Sequence, residues 1–252
     1  MADEANERLG GRMELSQDGD VWTLTLLSSP TGKGAFENRF NPAFVSDFNI
    51  ALDTVESACG ALVTTSHGKL YCNGLDLNWM MSQPQGGNDV KRFMASFHAL
   101  LARILTFPGP TVAAVQGHAF AGGCMLALAH DYRVMRSDRG FMCMNEIELG
   151  MSLTPGMNAF IKCRVPALSW RAMMLQGHRF SGTEAQERGM VDDAVEEAHV
   201  LSRAQTIASQ WADKAGETYG ALKRDLYAEA ANVLLDPSPS PAAAKRVAAA
   251  KL

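Results

Sequence analysis

The chain has 252 residues, 47% of them hydrophobic and 20% charged, which is the composition of a globular protein with a substantial core. Its formal net charge of −4 supplies no general basic field, so we expect no nucleic-acid partner. The five cysteines show neither CxxC pairs nor metal-ligand spacing, and we expect reduced core thiols and no metal site. Because no apolar run reaches bilayer-spanning length and the N-terminal stretch is acidic and polar, we expect neither membrane insertion nor a secretory signal.

Up to about residue 150 the pattern alternates between the apolar spacing of strands and that of helices, with turn residues between the runs. The predicted elements are, in chain order, a β-hairpin from the runs 12–17 and 21–27, a helix that begins at Asn41 and Pro42, a strand at 61–66, a long amphipathic helix from residue 88 or 89 to about 107, a strand at 111–117, a helix at 122–130, and strands at 132–137 and 141–149.

From Thr154 onward the pattern becomes helical, with short runs followed by a longer helical pair over about 198–235. Alternating strands and helices followed by helices alone predict an α/β core with a helical appendage. We assign the core to residues 1–190, the C-terminal helical region to 191–236, and a flexible Pro, Ser and Ala rich tail to 237–252.

The stretch VQGHAFAGGCMLALAHD, residues 115–131, runs from a strand through paired glycines into a helix. A helix that starts at Gly122 and Gly123 presents free backbone N–H groups and the positive end of its dipole, with no side chain in front of them. The stretch therefore predicts an anion site. The alternative is a tight strand-to-helix turn that uses glycine only for packing.

A second backbone donor is predicted in CNGLDL, residues 72–77. Gly74 permits a sharp turn, and Asp76 can cap the helical turn that follows, which leaves the N–H of Leu75 exposed at the bend. Read alone, this is an ordinary capped turn. Together with the N–H of Gly122, however, it would form an oxyanion hole, which stabilises a tetrahedral or enolate oxygen.

The third stretch is NEIELG, residues 145–150, where Glu146 and Glu148 alternate at the predicted end of a strand and so share one face. A carboxylate among neighbouring methionines would be partly desolvated, which raises its pKa toward the range useful for a general base. The alternative is that both glutamates point to solvent. For Glu148 we leave open whether it orients or repels Glu146 or is a residue of the site's rim.

In order and approximate spacing, CNGLDL, GHAFAGGCMLALAHD and NEIELG resemble the crotonase, or enoyl-CoA hydratase/isomerase, superfamily over about residues 12–235. The middle segment is most similar to the peroxisomal enoyl-CoA delta isomerases of plants. The resemblance implies a spiral of ββα units, a C-terminal helical part used in forming a homotrimer or a dimer of trimers, and a coenzyme A thioester as substrate. It also implies that the thioester oxygen is held by the N–H groups of Leu75 and Gly122.

One departure from the family pattern bears on the reaction. Hydratases of this family use two glutamates, and the first of them follows the GGC element, where this chain has Met125. A thioether cannot transfer a proton at neutral pH, whereas the later glutamate is present as Glu146. One base and an oxyanion hole suit the isomerisation of a 3-cis- or 3-trans-enoyl-CoA to the 2-trans-enoyl-CoA, as in β-oxidation of unsaturated fatty acids. Thioesterase, dienoyl-CoA isomerase and a non-catalytic binding protein remain alternatives.

The remaining predictions concern binding and location. We expect Gly74, Asp76, Gly123 and Met125 to contribute to the substrate site and Arg39 to contact the phosphates of coenzyme A, with no cofactor beyond the substrate. His118 and His130 lack triad partners, so we interpret both as core or surface residues. The chain ends in Ala250, Lys251 and Leu252, a variant of the Ser-Lys-Leu address, which predicts recognition by an import receptor and a peroxisomal location.

Overall fold

The computed structural model describes residues 7–27, 37–85 and 87–236, which form two β-sheets flanked by helices. The strands are β1 (Glu7–Leu9), β2 (Met13–Asp18), β3 (Val21–Leu26), β4 (Ala61–Ser66), β5 (Leu70–Cys72), β6 (Thr111–Val115), β7 (His118–Phe120), β8 (Tyr132–Arg136), β9 (Met142–Cys143) and β10 (Asp193–Val195). The larger sheet has the order β1-β2-β3-β4-β6-β8-β10, and the small sheet has the order β5-β7-β9.

The helices begin with α1 at Pro42, where the side chain of Asn41 accepts the N–H of Phe44 at 3.0 Å, so the predicted start is confirmed. They are α1 (Pro42–Ser57), α2 (Leu77–Ser82), α3 (Asp89–Leu105), α4 (Gly122–Ala129), α5 (Pro155–Arg164), α6 (Trp170–Gln176), α7 (Gly182–Glu187), α8 (Glu197–Trp211), α9 (Glu217–Leu226) and α10 (Ala228–Leu235). None of these described helices is long and apolar enough to cross a membrane.

Three consecutive segments repeat one arrangement, in which a strand of the larger sheet is followed by a strand of the small sheet and then by helix. These segments are β4-β5 with α2 and α3, β6-β7 with α4, and β8-β9 with α5. Every pairing among the three strands of the small sheet is parallel, so their carboxyl ends lie at one edge. The predicted α/β class with a spiral of ββα units is therefore confirmed.

The larger sheet is covered on both faces. Neighbouring residues of β4 belong to different apolar clusters, Leu62 to the one that includes α1 and α3 and Val63 to the one that includes α8. Because side chains alternate between the faces of a strand, this division shows helices on each side of the sheet. It explains why the β4 sequence is apolar or buried throughout rather than alternating.

Two predictions about elements are wrong. Residues 141–149 do not form one strand, because β9 covers Met142–Cys143 only and a turn follows it. The region after residue 154 is not purely helical, since β10 pairs in parallel with β8. A strand of three residues is too short to carry a readable period, and its pairing depends on a partner nearly sixty positions earlier in the chain, Asp193 lying opposite Val134.

The predicted C-terminal helical region packs closely on the rest of the chain. Helix α8 covers the larger sheet, and α10 packs against α3 and α5. At one of these contacts a β carbon on Gly156 of α5 would lie 2.6 Å from the Cα of Leu234 on α10, so the two helices approach closely. The division at residue 190 stays a prediction, and the predicted tail 237–252 with its terminal tripeptide lies outside the described residues.

Candidate active site

The carboxyl ends of the three small-sheet strands lead into three turns that meet at one cavity. Strand β5 leads to Leu75, β7 leads to Gly122, and β9 leads to Glu146. Ligands of α/β proteins commonly bind at the carboxyl ends of parallel strands, because the loops that follow each strand converge there. All three groups that the sequence singles out are thus contributed by successive ββα units.

The first turn directs the N–H of Leu75 toward the cavity. Phe40 forms a parallel bridge here, donating its N–H to Gly74 O at 2.8 Å and accepting the N–H of Asp76, also at 2.8 Å. Peptide groups alternate in direction along extended chain, so the N–H of Leu75 between them faces the other way. It has no hydrogen-bond partner among the described residues. Gly74 has φ +77°, the left-handed conformation that the turn requires.

The second turn sets the N–H of Gly122 at the first residue of α4. The left-handed conformation in this turn falls on Ala121, with φ +50°, rather than on either glycine. Such a conformation costs a non-glycine residue about 1–3 kcal/mol. The Ala121 N–H donates to Cys143 O at 2.8 Å, which holds the turn against β9. Gly123 is needed for close packing, because a β carbon there would lie 2.0 Å from Cys72 O.

The two turns adjoin each other. A β carbon built on Gly74 would lie 3.0 Å from the nitrogen of Gly122, so no larger residue fits between them. Leu75 and Gly122 both line a cavity of about 270 Å³. Its walls combine backbone, apolar side chains and a few polar groups, namely Arg39, Asn73, Leu75, Leu77, Phe97, Ala121, Gly122, Met125, Asn145, Glu146, Leu149, Met151 and Met157. This arrangement can stabilise an oxyanion.

The third turn carries Glu146. Residues 145–150 fold back locally, with the N–H of Glu148 donating to Asn145 O at 3.1 Å and the N–H of Met151 donating to Glu146 O at 2.9 Å. The predicted alternation of two carboxylates on one strand face is therefore wrong. Local turn hydrogen bonds replace the strand ladder, and Gly150, with φ +64°, completes the reversal.

Glu146 is partly buried, and its Oε2 atom has no hydrogen-bond partner among the described residues. Burial raises the pKa of this carboxyl above its ordinary value of 4.5. A carboxylate that is desolvated, without an ion-pair partner among the described residues, and at the wall of a cavity has the properties of a general base. The solvent-facing alternative does not describe it.

Glu148 differs from Glu146 in every respect that matters for proton transfer. Its side chain is half exposed, it does not line the cavity, and it lies 3.8 Å from Arg179. This is the geometry of a rim residue. Of the two histidines near the site in sequence, His130 is fully buried in the core, and His118 lies at the opposite, amino-terminal edge of the small sheet.

The predicted binding residues fall into two groups. Arg39 and Met125 line the cavity, Met125 from the first turn of α4 and Arg39 from beside Leu75, where its Nη1 lies 3.5 Å from the Leu75 carbonyl oxygen. The Arg39 guanidinium is also held by an ion pair with Glu37. Gly74, Gly123 and Asp76 do not line the cavity, and Asp76 caps α2 by accepting the N–H of Trp79 at 3.0 Å. These three residues shape the turns around the site.

Sequence reasoning missed several cavity residues. Phe97 of α3 and Met157 of α5 form apolar wall, and the Oδ1 atom of Asn145 is buried without a partner among the described residues. The helical spacing of Phe93 and Phe97 indicates a buried face but not that it borders a cavity. Across the described residues, no group of three or more histidine, cysteine, aspartate or glutamate side chains is placed to hold a metal ion.

Comparison with known proteins adds independent findings. The family model described as enoyl-CoA hydratase/isomerase matches residues 32–238. The chain is 34% identical over 234 residues to enoyl-CoA delta isomerase 2, peroxisomal, of Arabidopsis thaliana, covering 87% of this chain and 94% of that protein. It is 35% identical over 227 residues to enoyl-CoA delta isomerase 3 of the same plant, covering 85% and 92%.

Among solved structures, the human mitochondrial delta3-delta2-enoyl-CoA isomerase superimposes with a TM-score of 0.80. The superposition covers 89% of this chain and 86% of that chain at 23% sequence identity, so this likeness supports the fold.

Proposed function

The chain belongs to the enoyl-CoA hydratase/isomerase family, and we propose that its reaction is the conversion of 3-cis- or 3-trans-enoyl-CoA to 2-trans-enoyl-CoA. The observation that carries the proposal is the composition of the cavity: one desolvated carboxylate, Glu146, faces it together with two free backbone N–H groups. The position at which a second acid would stand is occupied by Met125. The two plant relatives named as delta isomerases favour the same reaction over hydration.

The proposed reaction needs one base and one stabilised anion. Glu146 accepts a proton from the α carbon of the thioester, and the electrons move toward the thioester oxygen to form an enolate. The N–H groups of Leu75 and Gly122 donate hydrogen bonds to that oxygen. Glu146 then returns the proton to the γ carbon, which leaves the double bond in conjugation with the thioester. No proton is gained or lost overall.

The apolar wall supports the proton transfer. Phe97, Met125 and Met157 line the cavity, and we expect them to exclude water from the region between Glu146 and the two donors. Water there would compete for the hydrogen bonds to the enolate and would hydrate the carboxylate, which lowers its basicity. A raised pKa of Glu146 brings its proton affinity nearer to that of a carbon acid whose enolate is stabilised.

We propose further that Arg39 binds the phosphates of coenzyme A. Its guanidinium stands at the cavity beside the turn that carries Leu75 and is oriented by Glu37. Guanidinium groups bind phosphate oxygens through paired hydrogen bonds, which suits this role. No cofactor other than the thioester substrate enters the proposed reaction.

The location and assembly of the protein are also proposals. The terminal residues Ala250, Lys251 and Leu252 and the peroxisomal name of the plant relative favour import into peroxisomes by a tripeptide receptor. A homotrimer or a dimer of trimers is what the family resemblance implies, and apolar side chains left exposed late in the chain support self-association. These include Leu168, Leu175, Leu222 and Leu226, which are 65–95% exposed.

A direct assay tests the reaction. Purified protein is mixed with 3-cis-enoyl-CoA, and the conjugated thioester is followed by its ultraviolet absorbance while free thiol is titrated in parallel. We expect conjugation to appear without thiol release. Release of thiol would instead identify a thioesterase, and loss of absorbance from 2-trans-enoyl-CoA would identify a hydratase. If none of these substrates changes, conversion of a dienoyl-CoA would identify a dienoyl-CoA isomerase, and no conversion would identify a binding protein.

A further inference from the structure

A chain of hydrogen bonds between buried side chains joins β5, β4 and the end of α4. The Tyr71 hydroxyl on β5 lies 2.6 Å from Thr64 Oγ1 on β4. Thr64 Oγ1 in turn lies 3.0 Å from His130 Nε2 at the end of α4. The other ring nitrogen, Nδ1, lies 2.8 Å from Leu126 O. All three side chains are fully buried, and none of them lines the cavity.

The geometry assigns a donor-to-acceptor direction to this chain of hydrogen bonds. A carbonyl oxygen only accepts, so His130 Nδ1 carries the proton and Nε2 is an acceptor. Thr64 therefore donates to His130, and Tyr71 donates to Thr64. Burial lowers the pKa of His130 to about 3 and raises that of Tyr71, so both groups stay neutral at any pH near neutrality. The direction of the chain is thus the same across the physiological range.

The elements that this chain joins are the ones that present the two donors. Tyr71 precedes Leu75 by four residues, and His130 is the residue that follows the last turn of the helix that begins at Gly122. Thr64 stands on the neighbouring strand β4 and contacts both partners. A change in the length of this connection would therefore alter the distance between the two N–H groups.

We propose that Tyr71, Thr64 and His130 are positioning residues that fix the spacing of the Leu75 and Gly122 N–H groups. The inference rests on the proposed function, in which those groups bind the enolate oxygen. Helix α4 is fully buried and apolar over its whole surface, and its first turn packs closely on β5 at Gly123, which leaves its apolar last turn to be given a direction by other contacts. Hydrogen bonds between fixed partners supply that restraint because their strength depends on distance and angle.

The backbone at the end of α4 has its own anchor. The carbonyl of His130 accepts from Arg133 at 2.8 Å and from Arg164 at 2.6 Å. Removal of the side-chain connection therefore leaves the helix end attached. This makes a modest displacement of α4, rather than its unfolding, the expected effect of a substitution in the hydrogen-bond chain.

The test compares two neighbouring threonines. Thr64→Val removes the central hydroxyl at nearly constant volume. Thr65→Val is the matched control, because Thr65 is also buried on β4 but its hydroxyl donates to Ala114 O at 3.4 Å and takes no part in this hydrogen-bond chain. We expect Thr64→Val to lower the kcat of isomerisation about tenfold with KM unchanged, a fraction of what loss of a whole oxyanion donor costs. The kcat of Thr65→Val should stay within about twofold of wild type. Thr64→Ser keeps the hydroxyl and should retain the wild-type kcat.

A second readout reports on the donors without the isomerase reaction. A 3-ketoacyl-CoA has an acidic α carbon, and its enolate absorbs in the near ultraviolet, so the bound enolate fraction measures the oxyanion hole directly. We expect Thr64→Val to lower this fraction and Thr65→Val to leave it unchanged. Equal effects of both variants, together with an active wild type, would overturn the positioning role. A wild type that neither enolises the ketone nor isomerises 3-enoyl-CoA would instead overturn the proposed function.

Discussion

The small sheet has a pocket at each end of its three strands, and the two pockets differ in how their charges are matched. At the carboxyl edge lies the proposed active site, whose charged lining residues are Arg39, which is paired with Glu37, and Glu146, which has no ion-pair partner among the described residues. At the amino edge lies a basic pocket of about 220 Å³ whose charged lining residues are Lys69, Arg136, Arg139 and Glu197.

Arg136, the buried cation of the basic pocket, is paired, whereas the other two cations, Lys69 and Arg139, are exposed to solvent. Arg136 forms ion pairs with Asp138 at 2.7 Å and with Glu197 at 2.9 Å. Burial lowers the pKa of His118, and Arg139 and other nearby cations lower it further, which favours the neutral imidazole. The two edges of the sheet therefore differ in whether their buried charge has an ion-pair partner. An unpaired, desolvated charge next to free N–H groups indicates chemistry, whereas paired charges indicate structure.

The largest effect should come from removing the unpaired carboxylate. Glu146→Gln keeps the shape of the side chain but cannot accept a proton, so we expect kcat for 3-enoyl-CoA to fall about 10²–10⁴-fold. Glu148→Gln is the matched control, because that glutamate is exposed beside Arg179, and its kcat should stay within about twofold. Steady-state kinetics of the two variants measure this difference. Full activity of Glu146→Gln would show that another group is the base.

A smaller effect is expected for substrate binding at the same edge. Arg39→Gln removes the guanidinium that we assign to the phosphates, so KM for coenzyme A thioesters should rise about tenfold with kcat nearly constant. Arg92→Gln, an exposed arginine of α3 outside the active-site cavity, serves as control. A shorter thioester without the nucleotide should lose the difference between wild type and Arg39→Gln. If the difference persists with that substrate, Arg39 does not act on the phosphates.

Much of the proposed active site could be predicted from the sequence. Gly74 with Asp76 indicates a capped turn, the paired glycines after residue 121 indicate a helix start with free N–H groups, and the methionines near Glu146 indicate a partly desolvated carboxylate. Each of these signals is local, because it depends on residues within a few positions of one another. The prediction that the three turns converge on one site comes from the family resemblance and not from any single pattern.

The parts that could not be predicted depend on contacts between distant positions. The positive φ of Ala121 occurs in a turn whose N–H donates to the carbonyl oxygen of Cys143, twenty-two positions later. Residues 145–150 contain the alternation typical of a strand, yet they form a turn because their backbone groups bond one another. The chain from Tyr71 through Thr64 to His130 is likewise invisible in a linear pattern, since its partners come from three elements.

The unpaired carboxylate should also cost stability. The folded-state pKa of Glu146 is raised above 4.5, so the folded protein favours the protonated form. The stability associated with this proton is fully present below pH 4.5 and is lost as pH rises through the folded pKa. Glu146→Gln mimics the neutral form, and we expect its Tm at neutral pH to exceed that of wild type by about 2 °C. Thermal unfolding should show the gain disappear toward pH 4, and a gain that persists there would exclude the electrostatic cause.

The smallest effect concerns the basic pocket and tests whether its charges act on His118 at all. Arg139 is exposed and has no ion-pair partner among the described residues, yet it is the cation that most lowers the pKa of His118. Arg139→Gln should therefore raise that pKa slightly, because solvent screens the Arg139 charge, while kcat stays unchanged. Titration of the histidine ring protons by NMR measures the shift, with Arg92→Gln as the distant control. An unchanged pKa would mean that solvent screens the pocket completely, whereas a lower kcat would mean that the amino edge of the sheet communicates with the active site.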